Sequence, residues 1–127
     1  MIHHDVLRRA LLILTALIFV ANAVYTLVSP DQWAAGLGFT LLAPNGYSEI
    51  YAVYVGVWLA TAILCALAAV RVREPLLGDL VAMFVLAQPV ARLLALPQFG
   101  MPEGLLLAFF ALEAGGGLAL LAVRPSA

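Results

Sequence analysis

Residues 104–123 read GLLLAFFALEAGGGLALLAV, an apolar run in which Glu113 is the only charged residue. A helix of about 20 apolar residues is long enough to cross the hydrocarbon core of a bilayer. A charged side chain at that depth costs about 3 kcal/mol or more, so it usually faces the protein interior and pairs with a partner. This run therefore predicts a membrane-spanning helix and, within it, a buried carboxylate that needs a partner.

Three further runs of the same kind precede it, and the whole chain has the composition of a membrane protein. Hydrophobic residues make up 65% of its 127 residues and charged residues 10%, whereas soluble proteins have about 25% charged residues. Proline, glycine and charged residues mark the breaks between the runs. We expect one all-α domain, residues 1–127, that forms a bundle of four transmembrane helices near residues 10–28, 48–70, 77–96 and 104–123.

The arginines predict the orientation of this bundle, because cytoplasmic connections of membrane proteins carry an excess of basic residues. Neither residues 29–47 nor residues 97–103 contain an arginine. The other arginines besides Arg92 all fall on the side that holds both termini: Arg8, Arg9, Arg71, Arg73 and Arg124. We therefore expect the N and C termini to be cytoplasmic.

Two features concern the first run and the connection after it. Residues 8–23 imitate a cleavable secretory signal, since an arginine pair precedes an apolar run that ends in Ala-Asn-Ala. We expect the run to stay in the protein as its first helix.

In the long connection that follows, Ser29 can cap a short helix that has Pro30 at its first position, a favoured pairing. Its apolar residues, Trp33 among them, favour a helix that lies along the membrane surface. The alternative is a plain loop that Trp33 anchors.

Helix geometry predicts that Arg92 and Glu113, the two charges deep inside the spans, meet. At 1.5 Å per residue, Glu113 lies about 15 Å into the fourth span and Arg92 about 7 Å from the end of the third. Side chains on a helix lean toward its N-terminus, and these two helices run in opposite directions. The two side chains therefore lean toward each other, and an arginine–carboxylate pair with two hydrogen bonds would be the strongest form of their contact.

Other polar residues are predicted near this pair, in the half of the bundle away from the termini. Gln88 lies one turn before Arg92 on the same face, and Pro89 between them should kink the helix. Asn22 belongs to a polar stripe on the first helix. Glu49 shares a face with small residues that let another helix approach closely. The predicted polar cluster consists of Arg92, Glu113, Glu49, Gln88, Asn22 and Tyr54.

Three interpretations of this cluster stay open. The first is a structural pair in a non-catalytic protein, either a homo-oligomer or an accessory subunit of a larger membrane complex. The second is a pocket around Arg92 and Glu113 that binds or transports a small molecule, a lipid or a proton. The third is a membrane enzyme that acts on a lipophilic substrate with a Glu as general acid or base. We favour the first, and we assign no catalytic residue.

The fourth run also carries small residues on the side opposite Glu113. Because both sides cannot face the centre of one bundle, we expect Glu113 inside and the small residues free to contact another subunit. The alternative is that they pack on a neighbouring helix of the same chain. The small-residue stripe consists of Ala108, Ala111, Gly115, Ala119 and Ala122.

The sequence pattern also excludes several kinds of site. Cys65 is the only cysteine, so one chain can form neither a disulfide nor a CxxC redox centre. No histidine lies within a span, which excludes axial haem ligation by histidine. The sequence His3-His4-Asp5 has no further metal ligands nearby. We expect no metal, no cofactor and no nucleic-acid partner. The expected partners are the lipid bilayer, a second copy or other membrane subunits, and a small lipophilic ligand.

The second run opens with a recognisable motif. Residues 49–56, EIYAVYVG, resemble the sequence NEIRAVYGG that opens the second helix in the family called domain of unknown function 4345. Arg92 and Leu112-Glu113 resemble that family's later Arg and Glu positions. The chain departs from the motif at Ser48, Tyr51 and Val55, where the family has Asn, Arg and Gly.

The resemblance implies a small four-helix protein of the bacterial inner membrane, distantly similar to the DoxX-like proteins. It implies no established activity, and it therefore assigns no reaction to this chain. What it adds is that Glu49, Arg92 and Glu113 are the positions that match the family.

Overall fold

The structure, a computed structural model, describes residues 2–125, and the side chains of residues 4–125. Over that range it is helical and contains no strand. Its helices are α1 (Ile2–Val28), α2 (Pro30–Gly36), α3 (Asn45–Val70), α4 (Pro75–Phe99) and α5 (Leu105–Ala122). All but α2 are long and apolar enough to cross a membrane. The predicted all-α fold with four membrane-spanning helices is confirmed, and the chain is a multi-pass membrane protein.

The four long helices form two pairs, because α1 packs mainly on α3 and α5 mainly on α4. Contacts between α3 and α4 join the pairs, whereas α1 and α5 touch each other much less. Gly117 allows the close approach of α4 and α5, since a Cβ at this position would overlap the side chain of Leu86. The seam between α1 and α5 is therefore the loosest side of the bundle.

The short helix α2 is present where Ser29 and Pro30 predict it, with Pro30 in its first turn. Trp33 and Leu37 are buried against the long helices and do not face a membrane surface. The indole of Trp33 packs on Trp58 and Phe109, each with ring centroids 5.9 Å apart. The connection thus folds back onto the bundle and closes the end away from the termini, because packing a large aromatic side chain there fills the space between the helices.

Helix α3 changes its winding along its length. Residues Tyr51–Val57 form π-helical turns between two α-helical parts. Such wide turns inside α-helices are rare and occur frequently at functional sites. Here they carry the half-buried Tyr54, whose ring packs on Trp58 with centroids 4.9 Å apart. The π-helical segment therefore lies directly beside the aromatic core under α2.

Candidate functional site

Arg92 of α4 and Glu113 of α5 form a two-point ion pair inside the bundle. Nε of Arg92 donates to Oε2 of Glu113, and Nη2 donates to Oε1, each over 3.3 Å. The side chains of Arg92 and Glu113 are 23% and 10% exposed. Since α4 and α5 run in opposite directions and pack closely, the inclination of each side chain brings the two groups together. Two parallel hydrogen bonds hold the carboxylate in one orientation.

A cavity of about 70 Å³ lies against Glu113. Its wall is mostly apolar and comes from all four long helices, and Glu113 is the one ionisable residue on it. Pocket walls of this kind, with few polar groups, are typical of sites for small apolar ligands. The lining residues are Thr15, Ile18, Phe19, Asn22, Trp58, Val85, Phe109, Leu112, Glu113 and Gly116.

This cavity is partly open and reaches the seam between α1 and α5. Ile18 of α1 and Leu112 of α5 line it and are also exposed on the outside of the bundle. In a membrane that outside surface faces the acyl chains, so the wall of the cavity includes residues that would contact lipid.

Asn22 lies on the wall of this cavity, across from Glu113, together with Thr15. Its Nδ2 donates to the carbonyl of Ile18 over 2.9 Å, and the hydroxyl of Thr15 donates to the carbonyl of Leu11 over 2.7 Å. Each of these hydrogen bonds to the preceding turn uses one donor hydrogen of the side chain. The amide of Asn22 and the hydroxyl of Thr15 thus add polar groups to a wall on which Glu113 is the one ionisable residue.

Tyr54, Gln88 and Pro89 lie around the ion pair without lining the cavity. Tyr54 is within electrostatic range of both Arg92 and Glu113. Gln88 is half-buried one turn before Arg92. Pro89 is buried within the uninterrupted helix α4, where it removes one backbone donor. The kink predicted at Pro89 stays a prediction.

Glu49 does not line the cavity beside Glu113, and its place in the polar cluster stays a prediction. Its side chain is exposed near the start of α3, and it lines a separate groove beside Tyr54. Gly56 and Ala60, which share its face, are also exposed, while Trp58 points inward. At this level of α3 the large side chain that faces the bundle is Trp58, which packs on Phe19 and Phe109. A carboxylate on the outer face near a helix end can remain hydrated.

The small-residue stripe faces away from the bundle, as its position opposite Glu113 requires. Four of its members are exposed and the fifth is half-buried, whereas Phe109, Gly117 and Leu120 on the other side of α5 are buried with Glu113. The stripe is therefore mostly uncovered by the rest of the chain. Contact with another subunit stays a prediction for Ala108, Ala111, Gly115, Ala119 and Ala122.

Sequence reasoning missed a second buried arginine. Arg8 is 1% exposed, and its guanidinium donates to the carbonyls of Leu120 and Pro75 over 3.3 and 3.1 Å. It also pairs with Asp79 over 3.3 Å, and Arg124 donates to the other oxygen of Asp79 over 2.7 Å. We refer to Arg8, Asp79 and Arg124 as the Arg8 network. It joins α1, α4 and α5 at the end that holds the termini.

A signal for Arg8 exists in the sequence. The buried residues Leu12, Phe19 and Ala23 recur at helical spacing, and the same spacing extended backward reaches Arg8 and not Arg9. Gly78 is the complementary signal, since a Cβ there would collide with the guanidinium of Arg8.

The described part of the chain contains no cluster of metal-binding side chains. Among the described residues, no three His, Cys, Asp or Glu side chains come together as metal ligands. The side chain of His3 lies outside the described residues.

A protein-family model described as Domain of unknown function (DUF4345) matches residues 7–123, nearly the whole chain. No curated protein and no solved structure matches the chain significantly. The match extends over all four membrane-spanning helices and includes Arg92 and Glu113. The chain therefore belongs to the DUF4345 family.

Proposed function

We propose that this DUF4345 protein binds a small lipophilic molecule that enters from the bilayer and carries an O–H or N–H group. One observation carries the proposal: Glu113 lies on a partly open cavity whose wall includes Ile18 of α1 and Leu112 of α5, both exposed on the outside of the bundle. An ion pair that served packing alone would need no such space beside it. The proposal goes beyond a structural role for the pair and prefers the binding interpretation of the polar cluster.

The chemistry of Glu113 favours a hydrogen-bond donor as the ligand group. A carboxylate has about four acceptor positions, and Arg92 uses one on each oxygen. The remaining positions can accept an O–H or N–H from a ligand in the cavity. Arg92 compensates the charge and holds the carboxylate in place, so the ligand itself can be neutral and can partition into the membrane.

The size of the cavity limits the part of the ligand that it holds. A single water-sized group needs about 10–15 Å³ of such space, so 70 Å³ takes a group of roughly five heavy atoms. The rest of the molecule would extend through the opening between Ile18 and Leu112. A hydroxyl or amine at the end of a hydrocarbon chain fits this description.

Binding is better supported than catalysis. General acid–base chemistry usually needs a second positioned group to exchange or stabilise charge. Glu113 is the one ionisable residue on the wall, and its two oxygens already accept hydrogen bonds from Arg92. We therefore assign Glu113 as the ligand anchor and Arg92 as the residue that positions it.

Quenching of tryptophan fluorescence can test this site, because Trp58 lines the cavity and the chain has only one other tryptophan. The protein is reconstituted in phosphatidylcholine vesicles and titrated with a long-chain alcohol brominated near its hydroxyl end. We expect saturable quenching. A brominated alkane of equal length, which cannot donate to Glu113, should quench at least about tenfold less effectively, the cost of about 1.4 kcal/mol for a lost charge-assisted hydrogen bond.

Gly116 and Gly115 provide a matched pair of variants, since neither has a neighbouring atom where a Cβ would be placed. Gly116 lines the cavity and Gly115 faces outward. Gly116→Leu should abolish saturable quenching, while Gly115→Leu should leave it unchanged, with both proteins equally helical by circular dichroism. Equal quenching in the two variants, or equal quenching by alcohol and alkane, would contradict the proposed site.

For the location we infer a bacterial inner membrane with both termini in the cytoplasm. The support is the arginine distribution, since the end with the termini carries all arginines except Arg92 while the opposite end carries Asp31, Glu49 and Glu103. A C-terminal fusion to green fluorescent protein, which does not become fluorescent when exported unfolded, should fluoresce. A dark fusion with an active C-terminal alkaline phosphatase would reverse the orientation.

A further inference from the structure

Two adjoining cavities lie at the end of the bundle that holds the termini. One has a volume of about 300 Å³ and the other about 190 Å³, and both are lined by Arg9, Val72 and Arg73. Arg71 and Glu74 line the larger one, and Asp5 the smaller one. The start of α1 and the connection between α3 and α4 thus enclose a groove with three arginines, far from the Glu113 cavity.

The arginines of this groove keep most of their donors available. Nε of Arg73 contacts Asp5 over 3.3 Å, yet the Arg73 side chain is 89% exposed. Arg71 contacts Glu74 at the long distance of 3.7 Å and is 63% exposed. Nε of Arg9 donates to the carbonyl of Ala69 over 3.1 Å. A guanidinium has five N–H groups, so each arginine retains donors beyond the contact described.

The charge of the groove is positive, with three arginines against two carboxylates, Asp5 and Glu74. Each carboxylate contacts one arginine through a single pair of atoms. The groove therefore keeps a net positive charge. Three guanidinium groups around one space match the several oxygens of a phosphate, which arginine binds through paired hydrogen bonds.

The groove also lies where a lipid headgroup would lie. It borders the ends of the apolar helices, and the exposed Val70, the last residue of α3, lies on its membrane side. A phosphate in the groove could therefore belong to a molecule whose acyl chains pass along Val70. Basic pockets between membrane helices at this level are known to hold anionic headgroups.

We propose that Arg9, Arg71 and Arg73 form a binding site for the phosphate headgroup of an anionic phospholipid. This site is independent of the proposed Glu113 site, since the two are at different depths and share no residue. It ties the connection between α3 and α4 to the surrounding lipid.

Native mass spectrometry of the full chain in a mild detergent tests this site, with dioleoyl phosphatidylglycerol and dioleoyl phosphatidylcholine added as separate probes. We expect preferential retention of phosphatidylglycerol. Arg71→Gln and Arg73→Gln should each weaken that binding about fivefold, the effect of about 1 kcal/mol per basic residue at a lipid surface. Both side chains are well exposed, so neither change should disturb folding.

The matched control is Arg124→Gln, which removes the same charge at the same end but lines neither cavity. It should leave phosphatidylglycerol binding unchanged. If all three variants weaken binding equally, the lipid responds only to overall charge and the site is refuted. Glycerol phosphate, added as a soluble competitor, should not displace the lipid; displacement would assign the groove to a free phosphate compound and would overturn the lipid assignment.

Discussion

Two arginines are withdrawn from solvent in this bundle, and they are held in different ways. Arg8 is 1% exposed and is surrounded by two backbone carbonyls and a carboxylate that it shares with Arg124. Arg92 is 23% exposed and depends on Glu113 alone for its described hydrogen bonds. A Cβ at Gly78 would already overlap the guanidinium of Arg8, whereas Glu113 borders a cavity.

The difference separates a structural charge from one that is available for binding. The Nη atoms of Arg8 donate to two backbone carbonyls and to Asp79, while its buried Nε has no hydrogen-bond partner among the described residues, so the Arg8 network holds three helices together. In the Arg92–Glu113 pair, the carboxylate accepts hydrogen bonds from Arg92 on one side and borders the cavity on the other. Burial of a charge is therefore weak evidence for function by itself; free space beside the charge is the more informative property.

The largest expected effect concerns the packing around Arg8. Gly78→Ala places a methyl group where the guanidinium lies, so the guanidinium must shift, and we expect its bonds to Leu120, Pro75 and Asp79 to weaken or break. We expect a loss of about 3 kcal/mol in the free energy of unfolding, as for other broken buried charge contacts. Unfolding in mixed detergent micelles, followed by circular dichroism, measures it.

Gly115→Ala is the control for this change, because it adds the same methyl group to a helix at a position with no neighbouring atom. It should be neutral or slightly stabilising, since alanine favours helix more than glycine does. Equal stability of the two variants would show that Arg8 can leave its site freely, and the contrast between the two arginines would fail.

A smaller effect is expected for the open pair. Glu113→Gln leaves Arg92 without its charged partner and should cost about 2 kcal/mol, less than a fully buried pair because Arg92 is partly exposed. Glu103→Gln, the same change at an exposed position, should cost nothing measurable. The same unfolding assay compares the two variants, and a neutral Glu113→Gln would show that the pair contributes no stability.

Replacing both members of the pair sharpens the comparison. Arg92→Met combined with Glu113→Leu removes the charges together, and such replacements are often neutral for stability. We expect stability to return to near that of the native protein, while saturable quenching of Trp58 by the brominated alcohol is lost. Retained quenching in this double variant would show that Glu113 is not the ligand anchor.

The smallest effect is expected at the outer edge of the Arg8 network. Arg124 is about half exposed, so its contact with Asp79 is screened by solvent. Arg124→Gln should lower the free energy of unfolding by less than about 1 kcal/mol, as for other exposed ion pairs. A loss as large as that of Gly78→Ala would mean that Asp79 needs Arg124 in order to hold Arg8. The network would then be one cooperative unit.

The sequence by itself determined the four membrane helices, because length and apolar composition decide whether a helix can cross a bilayer. It also placed Arg92 and Glu113 on converging sides, since side-chain direction follows from helix direction. The short helix after Ser29 followed from Pro30 in its first turn, whereas the Ser29 side chain makes no capping hydrogen bond within the described residues. These properties depend on residues that are close together in the chain.

Only the tertiary structure decided which helix faces turn inward and where space remains. Glu49 faces outward because Trp58 occupies the bundle centre, and Trp33 is buried because the connection folds back over it. The cavity at Glu113 exists because α1 and α5 pack loosely, and Arg8 is buried because Gly78 on another helix leaves room for it. Each of these outcomes depends on the volumes of side chains from separate helices, and no single segment of the sequence contains that information.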